Sequence, residues 1–369
     1  MSKSSSANGN LPRDAAIPPL PAAVFEDKKH GIKIFQGDCL EILGAMPADS
    51  VDLIFADPPY FLSNNGITCH AGRMVSVNKG EWDRSRGADA NHEFNRAWLA
   101  ACQRLLKPDG TIWVSGTSHV IHSVGFAMQQ LEFKLLNDIT WVKPNPPPNL
   151  SCRYFTHATE TLIWAAKNRR SRHVFIYALM RRHAGGKQMK SVWTIKPPEP
   201  WEKRFGKHPT QKPVALLERI LLASSHEGDL VLDPFCGSGT TLMAAFRLRR
   251  NALGCEFSTE FLTLSLRRIC SELIRVEISL SCFTFFLDPT SDSMDRSKCP
   301  LASAEMSAHA QLVQQERHFY FIGRDNREVI FSTLAESLDE AWQKFRASGR
   351  PDSDAIFIIK TETEIYLAQ

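Results

Sequence analysis

Short apolar runs alternate with segments of helical period through the first two-thirds of the chain. Ile32–Phe35 and Val51–Ala56 are nearly continuous apolar runs ending at polar or proline-containing turns, the pattern of strands buried on both faces. Cys39–Met46, between them, fits a short helix. Phe94, Trp98, Ala101 and Leu105 recur at helical spacing until Lys107-Pro108-Asp109-Gly110 stops the helix, and Thr111–Ser115 reads as a strand. Asp138–Val142 and Thr161–Ala165 are further strands, parted by the Pro146-Pro147-Pro148 loop. Pro213–Ser224 predicts a helix with proline at its first position. Strand Leu230–Leu232, a glycine turn, helix Thr240–Arg249 and strand Ala252–Cys255 follow. This alternation predicts an α/β domain with a doubly wound, mostly parallel sheet.

The pattern changes at both ends. Residues 1–24, rich in Ser, Asn and Pro, read as a flexible leader, and the domain is expected to span 25–273. Residues 274–310 are expected to form a linker, since Thr290–Ala310 is polar. Residues 311–369 predict a small α+β module, with strands Phe319–Ile322, Glu328–Ser332, Ile356–Lys360 and Glu364–Leu367 and a helix Ser337–Ala347. No apolar run approaches the ~20 residues of a membrane helix. None of the nine cysteines is spaced CxxC, so neither a disulfide framework nor a zinc site is indicated. A reducing, cytoplasmic setting is the expectation.

Charge adds a second asymmetry. The net charge is only +4, but Lys167–Lys207 holds twelve basic and two acidic residues, whereas the chain from Leu273 onward carries ten basic against fifteen acidic. A concentrated basic stretch suits a polyanion and is also what a solvated loop looks like. The acidic module is a poor candidate for gripping phosphates.

Two constellations carry chemistry. Asp233-Pro234-Phe235-Cys236-Gly237-Ser238-Gly239-Thr240-Thr241 lies between a predicted strand and helix, where open α/β sheets bind ligands. Its glycines permit a tight turn and close approach of a ligand. Glu256, 19 residues after Gly237, ends the next strand and can accept hydrogen bonds from ribose hydroxyls. The segment is not a P-loop and lacks the third glycine of a dinucleotide fingerprint. Asp57-Pro58-Pro59-Tyr60 follows the apolar run Val51–Ala56. Its prolines restrict the backbone and leave carbonyls unpaired. The Asp57 carboxylate and the Pro58 carbonyl then form an acceptor pair for an exocyclic amino group, with Tyr60 as a stacking face worth on the order of 1–3 kcal/mol. Either segment alone is equally a capped turn.

Together these segments resemble the β group of DNA amino-methyltransferases, in which the catalytic motif precedes the cofactor motif, over roughly Ile32–Leu273. Tyr60–Asn64, Val75–Val77, Asn145–Leu150 and Cys152–His157 are most similar to the DpnA-like, GATC-associated adenine-N6 methyltransferases, and more distantly to the GANTC-type cell-cycle-regulated enzymes. The resemblance implies S-adenosyl-L-methionine (AdoMet) as cofactor, with Asp38, His208, Thr210, Lys212, Asp233, Phe235, Gly237, Gly239, Thr240 and Glu256 around it. Asp38 would meet the adenine, and His208–Pro213 would border the methionine moiety. Asp57, Pro58 and Tyr60 are the implied catalytic residues, acting on an adenine flipped out of DNA. The loop Phe61–Trp82 is long enough to close over such a base. Target recognition falls at about 167–207, where Arg169, Arg170, Arg172, Arg181, Arg182, Lys187 and Lys190 would meet mostly phosphates.

No metal is required. DNA, double-stranded or single-stranded, is the implied partner, with a homodimer and a cognate restriction endonuclease as further expectations, in a bacterial, nucleoid-associated setting. A cytosine-N4 methyltransferase, an RNA or protein amino-methyltransferase and an inactive DNA-binding regulator are the alternatives.

Overall fold

The structure is a computed structural model. It describes residues 18–63, 66–70, 73–77 and 83–287, the segments 317–323, 329–335, 355–360 and 365–367, and residues 343 and 347. Two compact units divide the chain, Met1–Leu262 and Thr263–Gln369.

The first unit is built on one nine-stranded sheet. Its strands are β1 (Phe25–Asp27), β2 (Ile32–Gln36), β3 (Val51–Ala56), β6 (Leu106–Gly116), β7 (Lys134–Val142), β8 (Thr159–Ala166), β9 (Val192–Thr194), β10 (Leu230–Asp233) and β11 (Asn251–Glu256). A separate two-stranded hairpin joins β4 (Gly66–His70) to β5 (Arg73–Val77). The order across the large sheet is β1-β2-β11-β10-β3-β6-β8-β7-β9. Strands β2, β11, β10, β3 and β6 pair in parallel, and β8 runs against β6 and β7. Edge strand β1 is antiparallel to β2, so only β1 and β8 oppose the common direction.

The central strands are apolar on both faces because helices cover both. Helices α1 (Cys39–Ala45), α2 (Ala88–Leu105) and α3 (Ile121–Gln130) pack on one another, as do α4 (Tyr177–His183), α5 (Val214–Ser224) and α6 (Thr240–Arg247). Ile54, Ala56, Ile112 and Val114 meet Ile42, Leu43, Trp98, Leu99 and Val124 in one core. On α5, Leu216, Leu217, Ile220 and Leu221 are fully buried, and Trp113 donates its indole N–H to Ser224. A buried Leu or Ile contributes about 1.5–3 kcal/mol, so these two layers supply most of the cohesion of the sheet.

Helix α7 (Thr259–Leu287) begins in the first unit and continues into the second. Residues 274–287 are therefore helical where a linker was expected, since Val276–Leu287 is too apolar for a solvated tether. In the second unit, β12 (Arg317–Gly323), β13 (Val329–Ala335), β14 (Ala355–Lys360) and β15 (Ile365–Leu367) form an antiparallel sheet of order β13-β12-β14-β15. The expected helix Ser337–Ala347 lies almost wholly outside the described residues, as do 1–17 of the leader.

Candidate active site

Because five central strands are parallel, their carboxyl ends share one edge. Asp38 follows β2, Asp57 follows β3, Ser115 lies near the end of β6, and Asp233 and Glu256 end β10 and β11. Strands β3 and β10 are neighbours, and the chain leaves them in opposite directions, from β3 toward β6 and from β10 toward β11. Such a switch point opens a crevice. Asp57 and the 233–241 turn line one cleft there, with His208, Thr210, Gln211 and Lys212. The two constellations thus meet.

The glycine turn is held by its own side chains. Asp233 is buried, and its carboxylate accepts from the Phe235 amide at 3.0 Å and the Thr241 hydroxyl at 2.5 Å. Burial pushes its pKa up to about 7, against the lowering effect of those two donors. Gly237 (φ 53°) and Gly239 (φ 74°) occupy the left-handed region, Gly239 as the cap of α6. A Cβ on Gly237 would stand 3.1 Å from Nε2 of His208. Thr240 opens α6, its hydroxyl 3.3 Å from that of Ser238, and Phe235 sets its ring edge-on against Trp98. Glu256 accepts from the amides of Gly237 and Ser258, both at 2.7 Å, and burial raises its pKa. Asp38 is exposed and caps α1, accepting from the Leu40 amide at 2.7 Å. His208 packs against Phe261 with ring centroids 4.1 Å apart.

Around Asp57 the structure gathers more than the tetrapeptide promised. Oδ1 of Asp57 accepts from the Ser115 hydroxyl at 2.5 Å and the Tyr60 hydroxyl at 2.7 Å; Oδ2 accepts from Lys212 Nζ at 2.6 Å. Lys212 also donates to the Tyr60 hydroxyl and the Thr210 carbonyl, both at 3.1 Å, and lies 3.6 Å from Glu160. Glu160 pairs in turn with Lys143. Burial pulls the Lys212 pKa down, but Asp57 and Glu160 outweigh it and hold the ammonium above its ordinary value. Burial likewise opposes ionisation of Glu160, and Lys212 and Lys143 outweigh it in the other direction. Burial, then the charges of Asp57 and Glu160, push the Tyr60 phenol upward.

The structure adds to two sequence expectations here. Lys212 lines the cleft, and its ammonium lies on the Asp57 carboxylate, because a buried ammonium needs a counter-charge and Asp57 supplies one. Tyr60, expected as a stacking face, is 4% exposed, and its hydroxyl is tied to Asp57. Pro58 is buried beside them.

Sequence reasoning missed three residues. Fully buried Asp83 accepts from the amides of Tyr60 and Phe61, both at 2.8 Å, from the Leu62 amide at 3.2 Å, and from the Ser63 hydroxyl at 2.9 Å. It pins the chain just where Phe61 turns into the left-handed region (φ 58°). Asp83 stands in no motif that would have marked it. Glu160 left a trace, a carboxylate just ahead of the apolar run Thr161–Ala165, and Ser115 closes the run Thr111–Ser115. The loop Phe61–Trp82, expected to close over a base, consists in part of the β4–β5 hairpin; 64–65, 71–72 and 78–82 lie outside the described residues.

The basic stretch divides. Arg169, Arg170 and Arg172 are exposed but follow the end of β8, which runs backward. Lys167 is bound to Gly110, and Arg172 to Asp109, at the amino ends of the parallel strands, so this trio sits at the edge opposite the cleft. That corrects the expectation that the whole stretch faces the target, which took no account of the reversal of β8. Arg181 and Arg182 on α4, and Lys187 and Lys190 ahead of β9, are exposed along the flank. Lys196, Arg204 and Lys207 are exposed on the segment leading from β9 back to His208. The β7–β8 loop starts at Lys143 and carries Arg153, Tyr154 (61% exposed) and Phe155 (95% exposed), also on the cleft side.

Among the described residues, no group of His, Cys, Asp and Glu could hold a metal ion, and no helix is long and apolar enough to cross a membrane. The cleft suits AdoMet in one testable respect. Oε1 of Gln211 is a buried acceptor with no hydrogen-bond partner, on a residue whose Nε2 is fixed to the Glu202 carbonyl. An amino-acid ammonium would satisfy it.

Comparison with known proteins agrees with this geometry. The family described as DNA methylase matches residues 51–267. The type II methyltransferase M2.DpnII of Streptococcus pneumoniae is 52% identical over 245 residues, which are 66% of this chain and 91% of the relative. The type II methyltransferase M2.MboI of Moraxella bovis is 50% identical over 244 residues, 66% of this chain and 89% of the relative. Among solved structures, the M1.HpyAVI–SAM complex matches with a TM-score of 0.50 and 28% identity, over 64% of this chain and 98% of that one. The PvuII DNA methyltransferase, cytosine-N4-specific, shares the fold, with a TM-score of 0.51 and 21% identity over 64% of this chain and 86% of that one. The expectation of an AdoMet-dependent, site-specific enzyme of restriction–modification type is borne out. The chain belongs to the DNA methylase family and is an AdoMet-dependent DNA methyltransferase.

Proposed function

We propose that the enzyme methylates N6 of adenine at a specific site in DNA, with Asp57 and the Pro58 carbonyl as acceptors for the amino group. One observation carries this reading: Asp57 and the left-handed glycine turn line the same cleft at the switch point of the sheet. A carboxylate has about four acceptor sites. Donors from Ser115, Tyr60 and Lys212 use three of those on Asp57, and the remaining one is on Oδ2. One amino N–H can bind there, and the Pro58 carbonyl is available for the other.

Bound AdoMet supplies an activated methyl group. The protein holds the amino nitrogen, directs its lone pair at that methyl and keeps water away, so orientation supplies most of the acceleration. The aminium proton formed on transfer leaves to the Asp57 carboxylate or to solvent. Glu256 at the end of β11 and Asp38 at the start of α1 would meet the ribose and adenine of the cofactor, and Gln211, whose Oε1 lacks a partner, its ammonium. DNA lies against the cleft side, where Arg153, Tyr154, Phe155, Lys196, Arg204 and Lys207 are exposed. A cognate endonuclease sharing the site is the partner that the type II naming of the relatives favours.

The test is to express the chain, digest the host DNA to nucleosides and sequence the modified positions. N6-methyladenine at one recurring motif, GATC by the resemblance, supports the reading. N4-methylcytosine overturns the choice of base, and unmodified DNA alongside intact AdoMet binding favours an inactive DNA-binding protein. Asp57→Ala should abolish transfer and leave AdoMet binding intact.

A further inference from the structure

Four charges alternate in sign from the base of the β7–β8 loop to the reacting centre, the inner two buried and the outer two half-buried: Lys143, Glu160, Lys212 and Asp57. They come from the end of β7, the start of β8, the segment ahead of α5 and the end of β3. Lys212 is 5% exposed and Glu160 9%. All three protons of the Lys212 ammonium are used, on Asp57, the Tyr60 hydroxyl and the Thr210 carbonyl. We propose that Lys212 is a positioning residue for the Asp57 carboxylate, anchored from behind by Glu160 and Lys143, and that it sets which face of that carboxylate receives the amino group.

The proposal rests on the adenine reading for the substrate, but its geometry is independent of the base. Lys212 and the pair Ser115–Tyr60 grip opposite oxygens of Asp57, so the carboxylate cannot rotate. The series has two positive and two negative members, so the group is neutral as a whole. Removing one member leaves an uncompensated charge, a far larger disturbance than losing a surface pair. Without Lys212, Asp57 and Glu160 would face each other across the Tyr60 hydroxyl, 2.7 Å and 3.5 Å from it, with Asp233 close behind. Like charges so placed disfavour one another's ionised forms. The other groups facing them are Ser115, the Tyr60 phenol and the Lys143 ammonium.

Lys212→Met and Glu160→Gln, assayed on DNA with AdoMet saturating, test this. Lys212→Met should lower kcat on the order of tenfold or more at neutral pH and move the acid limb of the kcat profile upward, while the Kd for AdoMet stays within about twofold. Glu160→Gln should move the acid limb the other way. Lys212→Met/Glu160→Gln, which removes one charge of each sign, should recover the fold if Lys212→Met alone melts early, and its acid limb should lie nearer the parent's. A weakened AdoMet Kd with kcat and the acid limb unchanged would make Lys212 a cofactor ligand and overturn the proposal. The two readings fail separately: transfer surviving Asp57→Ala removes the catalytic assignment itself, whereas an unshifted acid limb with Asp57→Ala inactive removes only the role of Lys212.

Discussion

Oδ1 of Asp83 accepts a 2.8 Å hydrogen bond from the amide of Phe61, the residue at which the chain after the Asp57–Tyr60 tetrapeptide enters the left-handed region at φ 58°. A left-handed non-glycine residue costs roughly 1–2 kcal/mol, and a buried amide left unsatisfied costs about 1–3 kcal/mol. Asp83 offsets the first and prevents the second.

Asp83→Ala should therefore destabilise the protein by about 2–4 kcal/mol, because several buried donors lose their acceptor together. Because the tetrapeptide loses its anchor, kcat should fall further than the melting temperature alone would imply. Calorimetry combined with single-turnover assays at low temperature would separate the two effects. A variant with unchanged kcat would show that the turn holds its shape without Asp83.

Gly237→Ala should weaken AdoMet binding on the order of tenfold, the equivalent of about 1.4 kcal/mol. The new methyl would stand 3.1 Å from the His208 ring in a backbone region that alanine resists. Gly237→Ala combined with His208→Ala should recover the part of the loss caused by crowding and none of that caused by φ. Titration calorimetry of the single and double variants measures both parts.

The buried carboxyl of Asp233, raised to about 7 from 3.8, gives a pH signature. Between these values the folded protein holds a proton that the unfolded chain has released, so stability falls as pH rises. The contribution is fully present below about pH 4 and lost as pH passes 7. Glu256, raised by burial, acts in the same direction. Glu160 is lowered, so its contribution is lost only on the acid side. Asp233→Asn should flatten the fall in melting temperature between about pH 4 and 7, measured without cofactor. An unchanged slope would mean that Asp233 is not the group responsible.

The two ends of the sheet should differ in DNA binding. Replacing Arg153 and Phe155 by Ala, on the cleft side, should weaken DNA binding several-fold, with the arginine accounting for about one unit of the salt slope. Replacing Arg169, Arg170 and Arg172 together, on the opposite edge, should leave affinity nearly unchanged. Fluorescence anisotropy at several salt concentrations checks both, and the reverse result would place DNA across the amino ends of the strands.

The parallel part of the fold was legible because both-face burial writes continuous apolar runs. Val51–Ala56 was read with the bounds that β3 has, and Ile32–Phe35 to within one residue of β2. Helix α3 was not seen; its apolar positions Ile121, Val124, Ala127 and Met128 follow the helical period, but no cap marks its start. The reversal of β8 could not be read at all. Direction is a tertiary property, and an apolar run looks the same either way along the sheet. That single reversal is why the basic stretch was assigned as one surface. The tetrapeptide and the glycine turn were readable because their residue types are demanded locally, by proline restriction and positive φ. Asp83, Glu160 and the orientation of Lys212 depend on contacts between distant segments, which spacing does not record.

Strand β2 lies beside β11, and its Gln36 side chain donates to the Thr259 hydroxyl at the start of α7, so an early strand and the last described segment of the first unit sit together at the cleft edge. Joining them there and opening the chain ahead of α5 would give a polypeptide that makes its glycine bend before its Asp-Pro-Pro-Tyr. The sheet would be laid down in the same order, and the cleft would close around the same side chains. Which of the two halves is translated first is, for this architecture, an accident of where reading begins.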